Sequence, residues 1–364
     1  MRDKNVVEAD HLFSIDITVT SGCNFKCRYC VEGDSCDTDV SFSNFDELYT
    51  TIEKMFVDEW FNSNFEGIKI GFWGGEPTIR PDIIKAVVDK YKDDKRIYFF
   101  VFTNGHSYEV LDSIFHEVKH KITIQVSYDG DALNRKNRIY RDGSSTTGEV
   151  KRCIYSLFEN GYTTNIKSTA TYDDMSMMCD SWDDIKLIYD DLGKGIKYAI
   201  TIDYSKAYDM DACHIRSVFT GIAKRELKFY KEHGHHLFTW FDGGKTKCTY
   251  MKSGFSLDAN GELLYCHGCM YSCHREDLVF GHIQDADILD KIKANYEFFN
   301  APVIPECDEC LAKMCLTCNV QKHINSSKEG FYDRWYDLTC QKDQCTLFKE
   351  FGKVYLALED ILRR

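Results

Sequence analysis

Residues 12–30 read LFSIDITVTSGCNFKCRYC. Leu12 to Val19 alternates apolar and polar residues and is rich in β-branched side chains, the pattern of a strand with two distinct faces. Ser21-Gly22 ends the pattern, and Cys23, Cys27 and Cys30 follow in the spacing C-x3-C-x2-C. The cysteine loop is therefore expected at the C-terminal end of the first strand. Three closely spaced thiolates make a metal site with one position left open. Structural zinc takes four protein ligands whereas catalytic metals keep a place for substrate, and cubane iron–sulfur clusters are held by cysteine thiolates. A zinc knuckle closed by a distant fourth ligand, with Cys36 the nearest, is the competing reading.

Working outward, strand patterns recur at Ile68 to Trp73, Ile97 to Phe102, Ile122 to Ser127, Thr164 to Ala170 and Tyr198 to Ile202. Helical spacing lies between them, at residues 44–62, 81–91, 108–116, 147–160, 181–191 and 213–233, with Ser43 or Asn44 the expected N-cap of the first. Strand–helix alternation of this kind predicts a parallel sheet covered by helices. An incomplete (β/α)6 barrel and a doubly wound open sheet both satisfy the periodicity. In either, active residues collect at the carboxyl ends of the strands. The strand ends here read Gly74-Gly75-Glu76-Pro77, Thr103-Asn104-Gly105 and Ser127-Tyr128-Asp129-Gly130. Glycine lets a backbone approach a ligand closely, and Glu76 offers an acceptor to an ammonium group.

The chain has 364 residues, enough for one large domain and an appendage, and 43% are hydrophobic, enough for a substantial core. A formal net charge of -13 argues against broad contact with a nucleic-acid backbone, which needs a basic face. The charged first residues lack the apolar core of a signal peptide, and no run is long enough to span a membrane. A cytoplasmic, reducing location is expected, where seventeen cysteines read as metal ligands rather than disulfides.

Ten of those cysteines fall between Cys248 and Cys345. Regular alternation gives way to turn-rich sequence near residue 240, so residues 1–240 and 241–364 are expected to form two modules. Cys248, Gly261 and Cys266 are spaced C-x12-G-x4-C around a predicted hairpin turning at Asn260-Gly261. Cys307, Cys310, Cys315 and Cys318 follow as C-x2-C-x4-C-x2-C, then Cys340 and Cys345 before an amphipathic helix over 347–362. A pair of zinc sites is the alternative for this field. Cys36, Cys153 and Cys179 read as ordinary thiols, and His274 as a surface or supporting residue.

The triplet, the Gly74 to Pro77 segment and the cysteine field together resemble the radical S-adenosylmethionine (radical SAM) enzymes that carry a C-terminal SPASM domain. The resemblance favours the partial barrel, followed by a small cysteine-rich domain. It implies a [4Fe-4S] cluster on Cys23, Cys27 and Cys30 that binds SAM and cleaves it reductively to a 5'-deoxyadenosyl radical. By the same resemblance Gly74, Gly75, Glu76 and Pro77 contact the methionine amino group, Ser127 the ribose, and Arg138 the methionyl carboxylate. Phe25 and Tyr29 shield the cluster from water, a reading compatible with simple packing. Two auxiliary [4Fe-4S] clusters are implied, one on Cys248, Cys266 and Cys318, the other on Cys307, Cys310, Cys315 and either Cys340 or Cys345. The fourth ligand of the first is left to Cys269, Cys273 or Cys213, or is absent. The spacing around Cys315 and Cys318 is one residue shorter in each gap than in the family.

The family acts largely on peptides, so a side-chain modification in a ribosomally made peptide is expected: a thioether or carbon–carbon cross-link, or an oxidation. An external one-electron reductant such as flavodoxin or ferredoxin is implied, with neither nucleic acid nor membrane as partner. Eleven residues precede the first strand, so a fused leader-binding domain is not expected, and a separate leader-binding protein is left open as a partner. Sulfatase-maturating enzymes, which also lack that domain, are the first alternative. They place an aspartate where His267 stands, and a histidine can serve as a base. A dehydrogenase of small molecules and an electron-transfer protein complete the set. The basic cluster of Arg135, Lys136 and Arg141 reads as solvated surface.

Overall fold

The computed structural model describes residues 11–30, 32–33, 40–193, 196–202, 211–242, 253–271, 275–300 and 338–363. In chain order the elements are β1 (Leu12–Thr20), α1 (Phe45–Val57), α2 (Glu59–Asn64), β2 (Gly67–Gly74), α3 (Pro81–Tyr91), β3 (Ile97–Thr103), α4 (Tyr108–Phe115) and β4 (Ile122–Ser127). They continue with α5 (Asp131–Asn137), α6 (Thr147–Glu159), β5 (Thr163–Ala170), α7 (Met178–Leu192), β6 (Lys197–Ile202) and α8 (Ala212–His233). Last come β7 (Gly254–Leu257), β8 (Glu262–Leu264), β9 (Val279–His282), α9 (Ile288–Asn300) and α10 (Leu338–Arg363). Among the described residues no helix is long and apolar enough to cross a membrane.

One sheet runs in the order β6-β5-β4-β3-β2-β1-β7-β8-β9. The six strands β1 to β6 are parallel and lie in sequence order. A doubly wound sheet reverses its order at a switch point; this one does not, so the helices stay on one side and the sheet curls as an open, partial barrel. β7 adds to the free edge of β1, also in parallel, and turns back through Asn260-Gly261 into β8 and β9. The hairpin beyond residue 240 is thus hydrogen-bonded into the same sheet as the six-strand array.

Strand alternation sorts the side chains into a helix-facing core and a lumen. Ile15, Ile17, Ile68, Ile70, Phe72, Phe99, Val101, Ile124, Val126 and Ile166 belong to one buried cluster with Leu48, Ile84, Leu111, Ile154 and Ile185 of the helices. Their strand neighbours face the other way: Asp16 and Thr18 on β1, Lys69 and Trp73 on β2, Phe102 on β3, Gln125 and Ser127 on β4, Asn165 and Lys167 on β5. Register carries these positions around the barrel in layers, with Thr18 beside Trp73, Phe102 beside Gln125, Gln125 beside Asn165, and Ser127 beside Lys167.

Four local differences from the sequence expectation appear. The helix expected over 44–62 is broken at Asp58, whose extended backbone and carboxylate, accepting from the Phe61 amide at 3.0 Å, start a second helix. Asn44 is the N-cap position of α1 but makes no side-chain cap bond; its amide reaches the Ala259 carbonyl instead. The short helix α5 has few apolar residues to mark its period, and the terminal helix begins at Leu338 rather than 347.

Candidate active site at the carboxyl ends of the strands

The cysteine loop leaves β1 at Thr20 and is clamped on two sides. On one side Gly75 donates its amide to the Thr20 carbonyl at 3.0 Å and Glu76 to the Gly22 carbonyl at 2.8 Å. Gly75 is required here by space: a Cβ would stand 2.4 Å from the Gly22 carbonyl oxygen and 2.5 Å from that of Ser21. Gly75→Ala is therefore expected to displace the cysteine loop and destabilise the fold by about 1–3 kcal/mol, the usual cost of overpacking. Urea unfolding of the metal-free chain measures it; an unchanged midpoint would show that the loop yields freely.

On the other side the loop pairs with the segment after α5. Lys26 donates its amide to Ile139 at 2.8 Å, Arg28 to Asn137 at 2.9 Å, and the Arg141 side chain donates to the Cys23 carbonyl at 2.8 Å. Arg141 is thus a clamp on the loop, where the sequence suggested solvated surface. Lys136, also expected at the surface, is ion-paired with the buried Asp174. Neither role leaves a motif in the sequence, because each depends on a fold-back, over 118 residues for Arg141 and 38 for Lys136.

Inside the loop, Cys23 accepts from the Phe25 amide at 3.4 Å and faces the Asn104 amide nitrogen at 3.9 Å. Burial pushes the Cys23 thiol up to about 12, and it also raises Cys27, where the Arg138 guanidinium works in the opposite direction. Tyr29 donates its hydroxyl to Asp129 at 2.5 Å and accepts from Arg138 at 2.9 Å. Asp129 in turn accepts from the Thr169 amide at 2.8 Å, so this chain of bonds ties the loop to the ends of β4 and β5. Arg138 is buried, and its Nε has no hydrogen-bond partner among the described residues. Ser127 ends β4 on the lumen face.

Glu76 is fully buried and heavily hydrogen-bonded. Its Oε1 accepts from the Thr78 amide at 3.1 Å, the Thr78 hydroxyl at 2.6 Å and the Thr103 hydroxyl at 2.9 Å; its Oε2 accepts from the Asn104 amide at 2.5 Å. A carboxylate accommodates about four donors, and Glu76 already has four, three on Oε1 and one on Oε2, which leaves Oε2 the less crowded oxygen. Burial raises its pKa against the pull of these donors. Thr103 and Asn104, which the sequence marked only as a strand end, are the partners that fix it.

Beneath this mouth lies an aromatic floor. Trp73 stacks on Phe102 with centroids 3.5 Å apart and on His267 at 4.2 Å. His267 comes from the turn after β8 and its Nε2 lies 4.0 Å from the Glu32 carboxylate. Burial pushes its pKa down to about 3. Burial favours its neutral form, and the tilted contact of its ring with Trp73 places it along a wall of the site.

Cys266 and Cys269 bring their sulfurs to 3.6 Å, with Cys269 buried beside Leu264 and Leu278. Two thiolates on one tetrahedral metal at about 2.3 Å each stand about 3.8 Å apart, so the pair is placed as metal ligands can be. Cys213 is exposed at the start of α8. Cys153 is buried in the main core and Cys179 packs against it, consistent with ordinary thiols. Cys36, Cys248, Cys273, Cys307, Cys310, Cys315 and Cys318 lie outside the described residues, as do the side chains of Cys340 and Cys345.

Among the described residues no three His, Cys, Asp or Glu side chains converge closely enough to hold a single metal ion. A cubane cluster puts each thiolate on a different iron and asks for no such convergence. What it asks for is thiols on one loop, amide donors to sulfur and a buried cation, and Cys23, Cys27 and Cys30 with Phe25, Asn104 and Arg138 meet that description.

Residues 17–192 match the family model described as Radical SAM superfamily. The chain is 23% identical over 383 residues to the radical SAM cyclopropyl synthase TigE of Paramaledivibacter caminithermalis, covering 96% of this chain and 75% of that protein. A probable GTP 3',8-cyclase of Methanocaldococcus jannaschii is 28% identical over 145 residues, 40% of this chain and 44% of that one. Among solved structures, anSMEcpe with bound AdoMet superposes with a TM-score of 0.71 at 17% identity, covering 96% of this chain and 99% of that one. Streptococcus suis SuiB bound to precursor peptide SuiA gives 0.59 at 15% identity, over 91% and 76%. At these identities the structural likeness concerns the fold, and it is the partial barrel that is shared.

Proposed function

Residues 17–192 are a radical SAM domain, and on that premise we propose that this enzyme modifies a side chain of a ribosomally made peptide, by cross-linking or oxidation. The peptide class is carried over from anSMEcpe, solved with a bound peptide, while the alignment with the cyclopropyl synthase TigE, over 96% of the chain, continues past the radical SAM domain into the cysteine-rich region. The shared fold of SuiB, solved with its precursor peptide, supports it.

Cys23, Cys27 and Cys30 would hold a [4Fe-4S] cluster, which when bound supplies the electron that splits SAM reductively. The remaining chemistry belongs to positioning. Glu76 fixes the ends of β2 and β3 through Thr103 and Asn104, and its negative charge, with Oε2 the less crowded oxygen, suits the methionyl ammonium. Arg138, with its Nε unmatched and its Nη1 on Tyr29, places positive charge beside the loop for the methionyl carboxylate. Ser127 on the lumen face suits the ribose. Trp73, Phe102 and His267 exclude water below. Cys266 would contribute a ligand to an auxiliary cluster; the Cys269 sulfur, 3.6 Å away, stands closer than thiolates on two irons of one cubane, so the fourth ligand stays with Cys269, Cys273 or Cys213, or is absent.

Co-expression with a small peptide encoded beside the gene, followed by mass spectrometry, tests the reading. Loss of a hydrogen pair from the peptide, dependent on Cys27, is the expected result. An unchanged peptide mass from a protein that still cleaves SAM would remove the peptide class and leave the radical SAM assignment standing.

A further inference from the structure

Lys167 stands on the lumen face of β5, half-buried, in register with Ser127 at the end of β4 and with Ala199 of β6. That register places it one layer above the floor of Trp73 and Phe102 and one step below the bond between Asp129 and the Thr169 amide. Among the described residues its side chain makes neither a hydrogen bond nor an ion pair. Lys69, on the lumen face of β2, differs: it has Asp16 as a nearby opposite charge. Around Lys167 the charged neighbours are few. On β4 the nearest is Asp129, committed to Tyr29, to Thr169 and to the field of Arg138. On β6 the flanking residues are Lys197, Ala199 and Thr201, none acidic, and on β5 itself Asn165 and Thr169 are uncharged.

A desolvated ammonium without a counter-charge is costly, and proteins pair such groups or use them. Snorkelling to water is the bland alternative for a lysine at a strand end, but here the strand end opens into the site. We propose that Lys167 is a carboxylate-binding point in the barrel lumen, and that the carboxylate it takes is an acidic side chain of the substrate. The inference rests on the peptide reading for the identity of the substrate, but its test does not require turnover. With an anion seated, the charged form of Lys167 is favoured and its pKa rises from the value near 8 that burial imposes.

Trace labelling of the reconstituted protein with acetic anhydride across pH 6–10, read at the Lys167 peptide by mass spectrometry, gives that pKa directly. The midpoint is expected about 8 without ligand, against about 10.4 for surface lysines. Adding N-acetyl-glutamate α-methylamide is expected to raise it by about one unit, slowing labelling at pH 8 about fivefold, while the glutamine analogue leaves it in place. Calorimetry should show binding of the glutamate probe retained in Lys167→Arg and lost in Lys167→Met, both variants folded by circular dichroism. A midpoint near that of surface lysines, no response to the glutamate probe, or equal binding by Lys167→Met would overturn the proposal. A midpoint raised by SAM but not by the probe would overturn the substrate assignment, since the carboxylate would then be the methionyl one. None of these results bears on whether a peptide is modified, so the two readings fail separately.

Discussion

Cys27→Ala is expected to reduce 5'-deoxyadenosine formation to background and to remove about four irons per chain, the content of one cubane, while iron bound in the C-terminal cysteine region is retained. Cys27 is the middle thiol of the triplet, in the field of Arg138 and flanked by the two amides that pair with Ile139 and Asn137. Removing its sulfur leaves that backbone clamp intact, because Lys26 and Arg28 donate through main-chain atoms. The variant should therefore fold, and the loss should be chemical. Anaerobic reconstitution with dithionite and SAM, iron analysis and chromatography of the products check it. Retained SAM cleavage would place the reactive cluster elsewhere in the chain.

Glu76→Gln should have the largest effect on stability. The carboxylate takes four donors from Thr78, Thr103 and Asn104 in a site closed to water. An amide offers one acceptor oxygen and one donor nitrogen in its place. Whichever way it is turned, an N–H₂ group meets an N–H or O–H that was donating. A buried donor left unmatched costs about 1–3 kcal/mol, and hydrogen bonds to a charged acceptor lie in the upper part of that range. A loss of about 2–4 kcal/mol is expected in urea unfolding of the metal-free chain, together with weaker SAM binding in the reconstituted protein. Wild-type stability with weakened SAM binding would instead mean that Glu76 acts on the ligand alone and that its bonds to β3 are incidental.

Much of the six-strand array was legible because its strands are short, β-branched and bounded by glycine or polar turns. β4 matches its expected limits, and the others differ by a residue or two at their ends. The choice between barrel and open sheet was not legible from period, since both alternate strand and helix; strand order decides it, and order is a tertiary property. The cysteine triplet and the Gly74 to Pro77 segment could be read because their residue types and spacing are themselves the chemistry. Arg141 and the Tyr29–Asp129–Arg138 chain could not, since their partners lie about a hundred residues apart and each residue alone resembles a surface or packing residue. Lys167 was hidden for a related reason. A single lysine in an alternating strand reads as the solvated face, and only closure of the sheet turns that face into a lumen.

The account stands or falls on a SAM-binding cluster at the end of β1. Electron paramagnetic resonance of the anaerobically reduced protein, recorded with and without SAM, tests that most directly. The predicted result is an iron–sulfur signal that shifts when SAM is added and is missing from Cys27→Ala, whose remaining signals ignore SAM. A reduced, iron-loaded protein whose spectrum is the same with and without SAM would contradict it.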